Sequence, residues 1–258
     1  MKIRKAKGTQ KLACLTAGDC AMARLLDAAG VPLVLVGDSL GMSMLGFANT
    51  LPVTMEQMLH HTAAVARGVS NALVVADMPF MSYQVSEEEA LQNAGRFLKE
   101  AGADAVKIEG GAFRAPLVRR LVQNGIPVLG HIGLTPQAIN EMGGYRVQGR
   151  TAPEAEALVA DAKALDEAGV FAMVVECVPV ALGEWLTREV SVPTIGIGAG
   201  AGCDGQVLVL NDFLGLTESP PKLAKAYLNM SEQIRGAVSL YMEEVAQAAF
   251  PGEGQCYK

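Results

Sequence analysis

Short apolar runs alternate with amphipathic stretches along the chain. The runs are rich in β-branched residues and are bounded by glycine, proline or polar turns, which is typical of buried strands. We assign strands to Leu12–Thr16, Leu33–Gly37, Leu73–Ala76, Ala105–Ile108, Pro127–Gly130, Ala172–Val175, Pro193–Gly196 and Val207–Leu210. Because helical stretches separate most of these runs, the pattern predicts a parallel sheet joined by right-handed crossovers.

The stretches between the runs carry local helix signals. Ser86 precedes three glutamates, which forms an N-terminal capping box, and Ala29-Gly30 ends a helix with a glycine. We predict helices at Asp19–Ala29, Thr54–Arg67, Ser86–Ala101, Ala115–Gln123, Pro153–Ala168, Val180–Glu189 and Pro221–Ala249. A chain of 258 residues with this alternation is typical of an α/β protein, a single (β/α)8 TIM barrel domain over residues 1–258.

The last predicted helix is long and has an apolar stripe. The stripe consists of Met230, Ile234, Ala237, Val238, Tyr241, Met242 and Val245. A stripe at this spacing favours a packing role over a cofactor-binding role. We expect the helix to close the barrel or to pack at a subunit interface.

Composition excludes several classes of partner. The net charge is −6, which disfavours nucleic acid and anionic membranes. The apolar runs are far shorter than the roughly 18 residues of a membrane span, and we see no secretory signal. The five cysteines are scattered without a C-x-x-C motif, which favours a reducing cytoplasm.

Polar residues that could carry chemistry stand at the ends of the predicted strands. They are Asp38 and Ser39 in LVLVGDS, Asp77 in LVVADMP, Lys107 and Glu109 in AVKIEGG, His131 in PVLGHIG, and Glu176 in MVVECVP. A buried unpaired charge is costly inside a strand. We therefore expect these side chains to meet at the C-terminal mouth of the barrel, where barrel enzymes have their active sites.

Three of these residues form a candidate metal site. Asp38, Asp77 and Glu109 would repel one another without a cation, and oxygen ligands of this kind suit Mg²⁺. For any one of them alone, a helix cap or a turn is the simpler interpretation. Lys107 lies two residues before Glu109 and so faces the same side of the strand. It requires an anion, either a substrate carboxylate or a neighbouring acid.

Two further strand ends could transfer protons. Glu176 is flanked by apolar residues, and desolvation would raise its pKa and make it a usable general base. The alternative is a structural carboxylate paired with arginine or lysine. His131 is either a proton shuttle, a hydrogen-bond donor to an oxyanion, or a structural residue. The glycine run at Gly196–Ala201 leads into another strand, which argues against a dinucleotide site.

The ordered set of motifs resembles one family. VGDSLGM, TLPVT, HTAAV, ADMPFMSY, VKIEGG, GHIGLTPQ, GGYRVQGR, VVECVP and IGIGAG occur in order, followed by PGE. Together they resemble the ketopantoate hydroxymethyltransferase (3-methyl-2-oxobutanoate hydroxymethyltransferase) family from about Leu12 to Gly252. The resemblance implies a barrel of the phosphoenolpyruvate mutase superfamily and a cytoplasmic homodecamer.

The resemblance also implies a reaction. A hydroxymethyl group passes from 5,10-methylenetetrahydrofolate to 3-methyl-2-oxobutanoate through a Mg-stabilised enolate, which gives 2-dehydropantoate (ketopantoate) for pantothenate and coenzyme A synthesis. By position, Asp38 and Asp77 bind the metal with Glu109 close to it, and Glu176 is the general base. The implied substrate-binding residues are Asp38, Ser39, Asp77, Lys107 and His131.

Two departures from the family pattern leave the enzyme class intact and bear on the exact substrate, and two alternative functions stay open. Gly18 stands where similar proteins often have tyrosine, and Phe47 stands where they often have histidine. One alternative is a Mg-dependent lyase or mutase of the phosphoenolpyruvate mutase/isocitrate lyase type that acts on another 2-oxo acid. The long loops Ser39–Pro52 and Leu134–Ala152 contain no cysteine, which argues against a lyase with a loop cysteine. The other alternative is a binding barrel without activity.

Overall fold

Eight parallel strands close into a barrel. The computed structural model describes residues 3–257. The strands are β1 (Leu12–Thr16), β2 (Leu33–Val36), β3 (Leu73–Asp77), β4 (Ala105–Glu109), β5 (Val128–Gly133), β6 (Ala172–Glu176), β7 (Thr194–Ile197) and β8 (Gly205–Leu208). They pair in sequence order, and β8 pairs with β1. The predicted (β/α)8 barrel is confirmed.

Helices connect most of the strands. They are α1 (Cys20–Ala28), α2 (Leu40–Ser43), α3 (Met55–Gly68), α4 (Glu87–Lys99), α5 (Ala115–Gln123), α6 (Ile139–Met142), α7 (Ala152–Ala168), α8 (Val180–Glu189), α9 (Leu210–Phe213) and α10 (Met230–Ala246). Between β7 and β8 the chain makes only turns, as the short glycine-rich segment predicts. None of the helices within residues 3–257 is long and apolar enough to cross a bilayer.

The contacts divide the chain into two compact units. Met1–Val209 holds the eight strands, and Leu210–Lys258 holds α9 and α10. The single domain over residues 1–258 stays a prediction. In the second unit, α10 buries none of its residues, and its apolar side chains are exposed. The exposed ones are Ile234, Val238, Leu240, Tyr241, Met242 and Val245.

Alternating strand residues face two separate cores. In β2, Leu33 and Leu35 belong to a buried cluster with members from all eight strands, and so they fill the barrel interior. Val34 and Val36 belong to a second cluster that includes residues of the surrounding helices. The two-residue period of a strand explains this division.

The same alternation places charged residues above the apolar interior. Ala105 of β4 lies in the interior cluster, and Lys107 and Glu109 follow it at intervals of two residues. Asp77 follows Val75 in the same way. The register then brings these residues side by side, since Asp77 pairs with Lys107. The carboxyl ends of adjacent strands therefore present a continuous charged layer.

Some boundaries differ from those that the sequence predicts. The last strand begins at Gly205, two residues earlier than predicted, because Gly205–Leu208 is the segment that pairs with β1. The C-terminal helix begins at Met230 rather than Pro221, and the Asn229 side chain caps it by accepting from the Glu232 N–H. Short helices, α2 and α6, lie within the two long segments that the sequence predicts as loops.

A buried carboxylate links the start of the chain to the last two strands. Asp204 accepts hydrogen bonds from the backbone N–H of Thr194 (2.9 Å) and of Gly8 (3.0 Å), and it pairs with Lys7 at 3.0 Å. Burial alone would raise the pKa of Asp204, but these hydrogen bonds and Lys7 outweigh it and lower the pKa below 3.8. The charged form is therefore the one that the fold stabilises.

Replacing Asp204 by alanine should destabilise the barrel. We expect a loss of about 2–3 kcal/mol at pH 7, because buried N–H donors lose a charged acceptor. Since the folded pKa is lower than the unfolded one, this stabilisation is present above about pH 4 and is lost as the pH falls through the folded pKa. Urea unfolding of both proteins at pH 7 and at about pH 3 measures it. A difference that does not shrink at the lower pH would contradict the assignment.

Candidate active site

Five charged or titratable residues converge at the carboxyl ends of β2 to β5. Asp38, Asp77, Lys107, Glu109 and His131 are each at most 5% exposed. Lys107 Nζ lies 3.2 Å from Asp77 Oδ2, 3.6 Å from Glu109 Oε1 and 3.2 Å from His131 Nδ1. These five residues, hereafter the charged cluster, confirm that the predicted strand-end residues meet at one mouth of the barrel.

A tight turn after β2 brings Asp38 into the charged cluster. The Asp38 backbone N–H donates to Asp77 Oδ2 at 3.0 Å. A Cβ atom at Gly37 would lie 2.9 Å from Ser39 Oγ, so a larger residue there would displace the Ser39 side chain. Ser39 follows at the start of α2 and is half-buried.

Gln137, which follows β5, connects residues of the charged cluster through hydrogen bonds. Its backbone N–H donates to Glu109 Oε2 at 3.0 Å, and its side-chain Nε2 donates to Asp38 Oδ2 at 2.9 Å. Its Oε1 accepts from the hydroxyl of Tyr83 at 2.7 Å. Gln137 and Tyr83 were not among the predicted site residues. The only signal in the sequence is their place in the motifs GHIGLTPQ and ADMPFMSY.

The electrostatics of the charged cluster are set by burial and by one lysine. Burial and the charges of Asp77 and Glu109 raise the pKa of Asp38 well above 3.8. Burial also raises the pKa of Asp77, although Lys107 and the Asp38 N–H oppose it. The pKa of Glu109 is lowered, because Lys107 and His131 outweigh its burial. The carboxylates are thus under-compensated around Asp38 and Asp77, where a further cation would be stabilised.

The two bases of the charged cluster are both held in their charged forms. Burial alone would lower the pKa of Lys107, but Asp77, Glu109 and Asp38 raise it above its ordinary value. Burial and Lys107 would lower the pKa of His131, yet the adjacent carboxylates of Glu109 and Glu176 raise it to about 9. Lys107 is therefore an ammonium group held among the carboxylates of the charged cluster.

Glu176 lies beside the charged cluster at the end of β6. Its side chain is 15% exposed, and its Oε2 lies 3.2 Å from Nε2 of His131. Gly133 pairs with Glu176 across the strands, and a Cβ at Gly133 would collide with the Glu176 carbonyl oxygen. Cys177 turns the chain sharply after the strand with a φ of +53°, which is unusual for a residue with a side chain. These features orient Glu176 toward the mouth.

The carboxylate oxygens of the charged cluster are suited to a divalent cation. Asp77 Oδ1 is buried without a hydrogen-bond partner, whereas Glu109 Oε1 lies 3.6 Å from Lys107 Nζ and 3.4 Å from His131 Nδ1. Within residues 3–257, no group of three His, Cys, Asp or Glu residues is arranged to hold a metal by itself. Mg²⁺ is usually bound by one or two carboxylates together with water and substrate oxygens, so Asp38 and Asp77 fit it.

The two departures from the family pattern lie outside the charged cluster. Gly18 is buried, its carbonyl oxygen lies 2.7 Å from His61 Nδ1, and a Cβ there would collide with the sulfur of Met44. Phe47 is half-buried and packs against the core between the strands and the helices. Neither residue contributes a polar group to the charged cluster.

Solved structures share the fold at low sequence identity. A 2,3-dimethylmalate lyase of the PEP mutase/isocitrate lyase superfamily has a TM-score of 0.61 and 16% identity, with 100% of this chain and 90% of that chain covered. A phosphonopyruvate hydrolase in complex with oxalate and Mg²⁺ has a TM-score of 0.59 and 16% identity, with 98% and 91% covered. This likeness shows the barrel fold.

Sequence relatives are much closer. The 3-methyl-2-oxobutanoate hydroxymethyltransferase of Syntrophus aciditrophicus is 58% identical, with 98% of this chain and 93% of the relative covered. The enzyme of the same name from Carboxydothermus hydrogenoformans is 56% identical, with 95% and 89% covered. A sequence model of the ketopantoate hydroxymethyltransferase family matches residues 1–253. The chain, whose strand ends carry the charged cluster and Glu176, is therefore a member of the ketopantoate hydroxymethyltransferase family.

Proposed function

We propose that this protein transfers a hydroxymethyl group from 5,10-methylenetetrahydrofolate to 3-methyl-2-oxobutanoate, which gives ketopantoate for pantothenate synthesis. The observation that carries the proposal is the convergence of Asp38, Asp77 and Lys107 with Glu176 at one mouth of the barrel. The relatives at 56–58% identity carry the name of this activity.

The keto acid is bound through its two oxygen-bearing groups. Asp38 and Asp77 hold Mg²⁺, with Glu109 close to them, and Lys107, Ser39 and His131 contact the keto acid. The free Asp77 Oδ1 and the raised pKa of Asp38 support this assignment. Mg²⁺ supplies a Lewis acid that polarises the carbonyl group of the substrate. The solved hydrolase with oxalate and Mg²⁺ has the same fold and a bound dicarboxylate, which agrees with this arrangement.

Glu176 acts as the general base. Its carboxylate accepts the proton from C3 of the keto acid, and the electron pair of the C–H bond moves toward the carbonyl group. The methylene carbon then forms one bond to C3 and one to an oxygen supplied by water, and both of its C–N bonds to the folate break. The proton from C3 and one proton from the water end on the two folate nitrogens. Nε2 of His131 lies 3.2 Å from Oε2 of Glu176 and so helps to position this carboxylate.

A homo-oligomer in the cytoplasm completes the proposal. The exposed apolar side chains of α10 support a contact with a second copy, because a stripe of this kind is costly in water. All five cysteines are free in the described part of the chain, which suits a reducing compartment. The molar mass in solution tests the assembly, and a monomer would contradict it.

Deuterium exchange at C3 tests the activity. We expect 3-methyl-2-oxobutanoate in D₂O to lose its C3 proton signal by NMR in the presence of protein and Mg²⁺ without folate, and to keep it when the metal is removed by a chelator. Addition of methylenetetrahydrofolate should then give ketopantoate. The absence of exchange with this keto acid, together with exchange in another 2-oxo acid, would favour the lyase or mutase instead.

A further inference from the structure

A cavity adjoins the charged cluster. It has a volume of about 360 Å³, which is within the roughly 300–1,000 Å³ range of small-molecule sites. Glu109 and Gln137 line it and also belong to, or hydrogen-bond, the charged cluster. Asp38, Asp77, Lys107 and Glu176 do not line it. The cavity is therefore a neighbour of the keto acid site and not the same space.

Two exposed aromatic rings and one buried ring line the cavity. Phe113 is 72% exposed and Phe80 is 38% exposed, and both line the cavity with Tyr83. Exposed rings grouped at a cavity favour a flat ligand, because stacking covers their faces and removes apolar area from water.

Arg114 supplies hydrogen-bond donors that the protein does not use. Its guanidinium carbon lies 5.1 Å from the centre of the Tyr83 ring and 4.9 Å from that of Phe113. Its Nε is buried without a hydrogen-bond partner, and no carboxylate within residues 3–257 pairs with it. An arginine held by stacking alone keeps its donors available for a ligand oxygen.

We propose that this cavity binds the pteridine ring of the folate co-substrate. The ring stacks on Phe113 and Phe80, Arg114 donates to its carbonyl oxygen, and Glu141 accepts from the N–H groups of its aminopyrimidine edge. This inference rests on the proposed function and adds the part of the co-substrate that the cavity recognises.

Two arguments favour the ring over the rest of the folate. The methylene carbon is attached to a nitrogen of the pteridine ring, so the ring must lie next to the keto acid. Two residues that line this cavity, Glu109 and Gln137, belong to or hydrogen-bond the charged cluster. The glutamate tail carries two carboxylates or more, whereas the cavity is lined by the acids Glu109 and Glu141 and only one arginine. Charge therefore disfavours the tail here.

Binding of folate fragments tests the proposal. Calorimetry is performed with tetrahydropterin, which is the ring without the tail, and with p-aminobenzoylglutamate, which is the tail without the ring. Phe113→Ala and Arg114→Met should each weaken tetrahydropterin binding roughly tenfold, because each removes a stacking or hydrogen-bonding partner. The KM for methylenetetrahydrofolate should rise by a similar factor. Leu25→Ala, at a 63% exposed position outside the cavity, is the matched control.

The outcomes separate this proposal from the proposed function. Equal tetrahydropterin affinity in the two variants and the wild type, or weakened binding of p-aminobenzoylglutamate alone, would overturn the ring assignment. C3 exchange without folate reports on the keto acid site by itself, so failure of exchange in the wild-type protein would overturn the proposed function instead. Glu141→Gln is a further variant, and it should reduce ring binding without removing aromatic area.

Discussion

Glu176→Gln should lower the rate of C3 exchange by about 10²–10⁴-fold, the usual contribution of a general base. Glutamine has nearly the same shape as glutamate, and so the contact with His131 at 3.2 Å can persist while the proton acceptor is lost. Binding of the keto acid should change little, because Lys107 and the two aspartates are untouched. Exchange is followed by NMR and keto acid binding by calorimetry.

The control for this variant is the same chemical change elsewhere. Glu167→Gln alters an exposed carboxylate on α7 and should leave exchange at the wild-type rate. If Glu176→Gln retained exchange within tenfold of the wild type, Glu176 would not be the base. Exchange and binding that fall together would instead indicate a role in holding the substrate.

The barrel was predictable because its signals are local. In β2 the run LVLV alternates between the interior and the helical layer, and a proline or glycine precedes several strands. The boundaries that were wrong depend on contacts between distant segments. Gly205 belongs to β8 because it pairs with Leu12 of β1, and nothing near Gly205 in the sequence shows that pairing.

The site residues were predictable to the extent that strand geometry positions them. Lys107 and Glu109 share a face because they are two residues apart, and Asp77 lies next to Lys107 because the strands are in register. Gln137 was not predictable in this way. It lies in the short 3-10 helix Pro136–Ala138 after β5, and its side chain reaches Asp38, a residue 99 positions earlier. Its role follows from the folded loop and not from a periodic pattern.

The structure also changes the interpretation of Glu109. The sequence treats it as equivalent to the two aspartates, but it accepts from the Gln137 N–H and lies near Lys107 and His131. Asp38 and Asp77 are the carboxylates with raised pKa values, whereas that of Glu109 is lowered. The excess of negative charge is therefore concentrated at the two aspartates, and Lys107 is the cation that limits it.

Lys107→Met should destabilise the protein by about 3–5 kcal/mol at neutral pH, because removing one partner of a buried ion pair leaves an uncompensated charge. Methionine has a similar volume, so packing changes contribute little. Lys107 is 4% exposed and contacts both Asp77 and Glu109, so solvent cannot replace it. Urea unfolding at constant pH, without added divalent cations, measures the change.

Lys163→Met is the matched control, since Lys163 pairs with Glu189 at the surface with both side chains substantially exposed. It should cost less than about 1 kcal/mol. A ligand that binds only the folded state raises its stability, so Mg²⁺ bound at Asp38 and Asp77 should stabilise the protein. This stabilisation should be larger in Lys107→Met than in the wild type, because the metal ion replaces the positive charge of the missing ammonium group. A Lys107→Met cost no larger than that of Lys163→Met would show that the ion pairs of the charged cluster do not stabilise the fold. A large cost without extra stabilisation by Mg²⁺ would confirm the ion pairs and contradict the two aspartates as metal ligands.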